Sequence, residues 1–159
     1  MTQLPIPPVG QRWLTFENER VTFLAPTDFS VHREKDDTIA VYPAGDSGIT
    51  LRFSLHQQAL HAGAPPDAAE RFVVDHASSH GLKLTRLADR VFSTESAEAD
   101  WPDRRVLVHH WQIGVGQVLV VGTATIWGVN RESKTIRETM DFVPRIIESF
   151  RLMSSDISR

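Results

Sequence analysis

Arg104 to Trp127 reads RRVLVHHWQIGVGQVLVVGTATIW, two apolar, β-rich runs on either side of a glycine-bracketed turn. Val, Ile, Leu, Thr and Trp fill both arms, and such side chains pack well on a pleated surface. Gly114 and Gly116 are free to take the positive φ angles of tight connections, so the stretch predicts a long antiparallel hairpin. A three-residue loop at Gly114 to Gly116 would set Trp111 opposite Leu119 and His109 opposite Val121, and a two-residue loop would slip every pair by one. Val106, Val108, Val118, Val120 and Ile126 form one phase, and Leu107, Trp111, Ile113, Leu119 and Val121 belong to the other. With apolar groups in both phases, neither face reads as wet. The expected fold is α+β: a mainly antiparallel sheet flanked by helices in an α/β/α sandwich, or one with a helix on one face and loops or a partner on the other.

Upstream, Pro5, Pro7, Pro8 and Gly10 make residues 1–11 an extended lead-in. Arg12 to Glu17 and Arg20 to Ala25 suit a short hairpin, and Phe29 to Arg33 and Thr38 to Tyr42 flank a charged turn. Ile49, Leu51, Phe53 and Leu55 alternate with Thr50, Arg52, Ser54 and His56, the cleanest period of two in the chain. After Pro65 and Pro66, Asp67 is placed to cap a helix, with Glu70 closing a capping box; the helix runs to about His80 and stops at Gly81. At roughly 100° per residue, Ala69, Phe72, Val73, His76 and His80 share the face expected to be buried. Leu82 to Leu87 and Arg90 to Thr94 return to strand spacing, followed by an acidic loop with Glu95, Glu98, Asp100 and Asp103.

Downstream of the hairpin, Ile136, Met140, Val143, Ile146, Ile147 and Phe150 form the stripe of a C-terminal helix, where Pro144 predicts a kink or a new start capped by Asp141. Residues 153–159 read as a flexible tail. The 159 residues fit one domain. Against 20 Asp and Glu stand 17 Lys and Arg, a net charge of −3 that points to neither nucleic acid nor an anionic membrane. Without cysteine, disulfides and thiolate chemistry are excluded. MTQLPIPPVGQRW lacks the basic start and apolar core of a secretory signal, and no run is long enough to span a bilayer, so the expected location is cytoplasmic.

Several short motifs suggest chemistry and are better explained by structure. Gly45 to Gly48 spell GDSG, as in the nucleophile loop of trypsin-like proteases, but Ile49 follows directly, no matching histidine motif exists, and these are turn residues. His76 and His80 have the i, i+4 spacing of a two-imidazole metal site, yet HASSH lacks the glutamate of HEXXH, and their face predicts packing. His109 and His110 point to opposite faces of one strand, so only His109 joins the candidate set His76, His80 and His109, and only if the first helix packs on its side. The acidic residues lack the spacing of a calcium loop. IGVGQ lies between two strands, where a dinucleotide fingerprint does not. No cofactor is expected. Of the four tryptophans, Trp101 stands apart, in an acidic, proline-containing segment without periodic apolar neighbours, which suggests an interface residue.

VTFLAPTDF, from Val21 to Phe29, and IIESFRL, from Ile146 to Leu152, resemble the two ends of proteins in the PsbP-like superfamily. That group includes the photosystem II extrinsic protein, the Ran-binding nuclear import factor and bacterial relatives that act as effector chaperones. The resemblance implies an antiparallel sheet between helices and no catalysis, with Phe150 anchoring the last helix and Pro26 turning the first hairpin.

The leading functional expectation is a soluble, non-catalytic protein-binding module, adaptor or chaperone, with Trp101, Glu98, Asp100, Asp103 and Phe92 at the partner surface. A homodimer partner would use the same aromatics. The rival is a small-molecule or metal-binding protein, or a hydrolase, with a pocket lined by His76, His80 and His109.

Overall fold

The computed structural model describes residues 3–17, 19–45, 47–56, 63–87, 90–101, 104–127 and 132–153, without the side chains of Trp101 and Arg104. In chain order these residues form β1 (Gln11–Thr15), β2 (Val21–Pro26), β3 (Ser30–Glu34), β4 (Thr38–Tyr42), β5 (Ile49–Leu55), α1 (Ala68–His80), β6 (Lys83–Leu87), β7 (Arg90–Trp101), β8 (Arg104–Val115), β9 (Val118–Ile126), α2 (Lys134–Ser149) and β10 (Arg151–Leu152). Seven strands make an antiparallel sheet in the order β3-β4-β5-β9-β8-β7-β6, and a smaller sheet runs β1-β2-β10. Among the described residues no helix is long and apolar enough to cross a membrane.

The fold is α+β, an antiparallel sheet with a helix on each face, and one face carries more than expected. Alternation sends Trp111, Ile113 and Val115 of β8, Val120, Ala124 and Ile126 of β9, and Leu51 and Phe53 of β5 into the main core. There they meet α2, through Ile136, Val143, Ile146 and Ile147, and the small sheet, through Leu14, Val21 and Phe23. Four rings gather at its centre. Phe150 lies 5.1 Å from Phe23, 5.5 Å from Phe53 and 6.4 Å from Phe16 between centroids. The other face holds a smaller cluster of Ala69, Val73, Val91 and Leu119 under α1.

The hairpin is real, but its register is neither of those expected. Val115 pairs with Val118 across a two-residue loop of Gly116 and Gln117, which sets Trp111 opposite Gly122 and His109 opposite Ala124. Gly116 supplies the positive φ, 59°. Gly114 stays inside the strand for a different reason: a Cβ there would lie 2.8 Å from Glu70 Cα and from Glu70 N, so only a bare backbone lets α1 cross.

α1 has the expected length and a different start. Asp67 makes no side-chain cap bond and instead pairs with Arg71 at 2.8 Å, while Glu70 reaches Arg86 at 3.3 Å. The helix amide of Ala69 donates to Gly116 O of the hairpin turn, so the sheet performs the role assigned to the capping box. Gly81, with φ 63°, ends the helix in the left-handed conformation. The buried face is Ala69, Val73 and Ala77; Phe72 is 39% exposed and His80 is exposed, because the close approach at Gly114 turns the small side chains toward the sheet.

α2 passes through Pro144 in one piece and starts at Ser133, whose Oγ accepts from Ile136 N. Pro144 is exposed, on the side where water can serve the carbonyl left without its N–H partner. At the other end, the guanidinium of Arg90, 7% exposed, donates from Nη1 to the carbonyls of Ile147 (3.1 Å) and Phe150. A cation placed at the negative end of the helix satisfies carbonyls that the helix itself cannot.

Two substitutions test these close fits. Gly114→Ala should lower stability by about 2 kcal/mol, because backbone rather than a flexible side chain has to move. Arg90→Met should cost about 2 to 3 kcal/mol by stripping buried carbonyls of a charged donor. Urea unfolding reads both as a lower midpoint at unchanged slope.

Candidate functional site

The acidic stretch after Thr94 is strand, not loop. β7 and β8 stay in register from Arg90 opposite Val115 to Trp101 opposite Arg104. The β8 arm explains this. Its residues Val106 and Val108 favour strand, and their backbone groups need partners, which the polar residues of β7 provide whatever their own propensity.

The neighbours of this ribbon stop early. β6 ends with Lys83 opposite Thr94. β9 pairs with β8 only as far as Leu107 opposite Ile126. Among the described residues, β7 beyond Thr94 therefore has no strand on its outer side. Ser96, Ala97, Glu98 and Asp100 are exposed there. Arg105 Nε lies 2.9 Å from Glu98 Oε2 and 3.6 Å from Asp100 Oδ1. Glu95, Glu98, Asp100 and Asp103 still outnumber Arg104 and Arg105, so the segment keeps a negative charge.

Alternation also sorts the histidines. Odd residues of β8 face α2 and even ones face the α1 side, so His109 is separated from His76 and His80 by the sheet. The expected trio does not converge. His76 and His80 stack with ring centroids 4.2 Å apart on α1, with His80 Nδ1 3.0 Å from His76 O. No group of three metal-ligating side chains gathers among the described residues. His109 instead sits 2.6 Å, Nδ1 to Oγ, from its cross-strand partner Ser96, and its ring stacks 6.1 Å from that of Trp111. Burial, and then the charge of His110, hold the His109 imidazole below its ordinary pKa. The neutral ring and the serine hydroxyl thus form a hydrogen-bonded clasp across the ribbon.

Of the partner surface expected from sequence, Glu98 and Asp100 lie together on this ribbon. Phe92 does not belong to it. Its even position in β7 points it at the main core, where it is buried with Trp111 and Ile113. Trp101 ends β7, its side chain outside the described residues, as is the whole of Asp103. Ser96 was missed because a serine among acids carries no signal until the register sets it against His109.

Recesses open beside the sheet among the described residues. A small one of about 180 Å³ lies past the end of α1, between Leu82, Glu95, His110 and Gln112, whose buried Oε1 has no hydrogen-bond partner among the described residues. A larger cleft of about 720 Å³ opens at the far end, between Leu4, Leu87, Arg90, Glu148, Leu152 and Met153. The lead-in reaches over it, tied down by Trp13 Nε1 donating to Pro5 O at 2.8 Å.

No family profile and no curated protein matches this chain. The crystal structure of a protein from Bacteroides thetaiotaomicron VPI-5482 is similar over 92% of this chain and 50% of that one, with a TM-score of 0.66 and 11% identity. The chain thus spans half the length of that protein, and the likeness shows the fold alone. The solution structure of cyanobacterial PsbP (CyanoP) from Synechocystis sp. PCC 6803 aligns over 96% of this chain and 98% of that one, at 11% identity and a TM-score of 0.37. That score carries no further argument.

The depressed His109 pKa fixes the sign of one pH effect. The unfolded chain takes up this proton at a higher pH than the folded one, so stability should fall as pH drops through about 6.5 and level off below the folded value. Melting temperatures of the protein and of His109→Gln, compared from about pH 7.5 to about pH 5, should show a shallower decline in the variant.

Proposed function

We propose that this chain is a non-catalytic protein-binding module, an adaptor or chaperone in role, that takes a basic partner on the outer half of the β7–β8 ribbon. The observation that carries the proposal is the outer side of β7 after Thr94, exposed, negatively charged and without a neighbouring strand among the described residues. The separation of His109 from His76 and His80 supports it by dismantling the histidine pocket on which the catalytic and metal-binding alternatives rested. The resemblance of the chain's two ends to PsbP-like proteins accords with it, and the lack of cysteine accords with a cytoplasmic setting.

A second reading has one observation in its favour. The cleft at Arg90, about 720 Å³, falls in the range of small-molecule sites and carries both apolar walls and charge. It would bind a ligand without any of the three histidines.

The binding reading is tested by capturing partners from native lysate on the tagged protein and on Glu98→Lys/Asp100→Lys, then titrating the purified partner against both. Exposed charge pairs contribute up to about 1 kcal/mol each, so the double reversal should weaken binding about tenfold at low salt, less at high salt, with the melting temperature preserved. Equal affinity at low salt would remove the ribbon as the binding surface.

A further inference from the structure

We propose that the recess past the end of α1 takes the charged end of one basic side chain of the partner, an alkylammonium or alkylguanidinium group held between Glu95 and Gln112. The inference rests on the protein-binding reading and adds the contact that anchors the basic partner.

The recess exists because α1 covers only part of its face of the sheet. The helix crosses the hairpin at Gly114, ends at His80, and turns at Gly81 into Leu82 and β6. A space of about 180 Å³ is left over Ser93, Glu95 and Ala97 of β7 and His110 and Gln112 of β8, which share one face. Ser93 and Ala97 are small, so the floor on either side of Glu95 is low. Leu82 and Val121 supply apolar walls. The volume is that of about six liquid waters, room for the end of a lysine or arginine side chain. Because β6 ends with Lys83 opposite Thr94, a partner lying along β7 reaches the recess with a side chain alone.

The polar atoms of the recess lack a donor. Gln112 Oε1 is buried and has no hydrogen-bond partner among the described residues, a condition that costs the folded protein free energy. Glu95 is exposed, and neither Lys nor Arg lines the recess. Across the strands Glu95 pairs with His110 and Gln112 with Ser93, so Glu95 and Gln112 are diagonal neighbours. Such positions lie about 7 to 8 Å apart, within reach of long side chains. One cationic group set between them donates to the carboxylate and, as the amide turns toward it, to the Gln112 oxygen. The hydroxyl of Ser93 is a further acceptor beside Gln112. The negative end of α1, next to Leu82, favours positive charge. No three metal-ligating side chains gather among the described residues, so the site suits N–H donors and not a metal ion.

The test follows the side-chain amide of Gln112 and the backbone amide of Glu95 by NMR as n-butylammonium, n-butylguanidinium, n-butyltrimethylammonium and n-butanol are titrated into the intact protein. The two N–H cations should shift both amides saturably. The alcohol, which lacks charge, and the trimethyl cation, which lacks N–H donors, should bind at least about tenfold more weakly. Glu95→Gln should weaken n-butylammonium by about tenfold at an unchanged melting temperature. Gln112→Leu replaces an orphaned acceptor with an apolar group, so it should raise the melting temperature while weakening n-butylammonium several-fold, read at the Glu95 amide. A lower melting temperature in that variant overturns Oε1 as the waiting acceptor. If n-butylammonium leaves Gln112 unshifted, or binds Glu95→Gln as tightly as the parent, the recess is no cation site and the inference is wrong. With a purified partner, Glu95→Gln should again weaken binding about tenfold, and undiminished affinity overturns the anchor. That failure leaves the ribbon reading standing, because Glu98 and Asp100 lie on the opposite face of β7 and their reversal tests it separately.

Discussion

A buried cation at the end of α2 holds the two halves of the fold together. Arg90 begins β7, and its guanidinium takes the carbonyls of Ile147 and Phe150 where the helix has no donors of its own. That contact sets the exit of α2, and three others depend on the exit. Ser149 Oγ accepts from Leu24 N at 2.9 Å, Phe150 is driven into the ring cluster of Phe16, Phe23 and Phe53, and Arg151 and Leu152 pair with β2. Met153 N then bonds to Arg20 O at 2.7 Å. One side chain therefore links β7 of the large sheet to the small one, by way of a helix terminus.

Where the chain's own pattern set its structure, that structure was legible. β4 covers the expected residues, and β5 buries Ile49, Leu51, Phe53 and Leu55 because each has a fixed phase and apolar neighbours on one side. The stripe of α2 is likewise buried at Ile136, Val143, Ile146 and Ile147. The exceptions arise where a partner decides. Ser96, Glu98 and Asp100 have poor strand character and become strand because β8 extends beside them. Gly114 has the composition of a turn and becomes strand because α1 needs its missing side chain. Arg90 carries no motif, since its role depends on carbonyls about sixty positions away.

The candidate surface shows the same division. The acidic character of residues 95–103 could be read from the sequence, and so could the opposed directions of His109 and His110. Which histidine faces α1 could not, because it turns on the helix choosing the Gly114 side of the sheet. That choice also placed Phe92 in the main core, while the β7–β8 register set His109 beside Ser96, leaving the ribbon a charged, exposed surface.

The strand order has a consequence for how the molecule is made. β3, β4 and β5 form one meander of sequence neighbours and β6 to β9 another, and the sheet is completed by a single seam between β5 and β9. The first meander leaves the ribosome with β5 apolar on one face and its outer edge unsatisfied, and that edge has no mate until α1 and four further strands, β6 to β9, have been synthesised. Closure of the seam is the long-range step that local pairing cannot speed. Until it happens, nascent chains on neighbouring ribosomes present one another with matching, sticky edges, so translation rate and temperature, more than the stability of the finished sheet, govern how much of the product is recovered in native form.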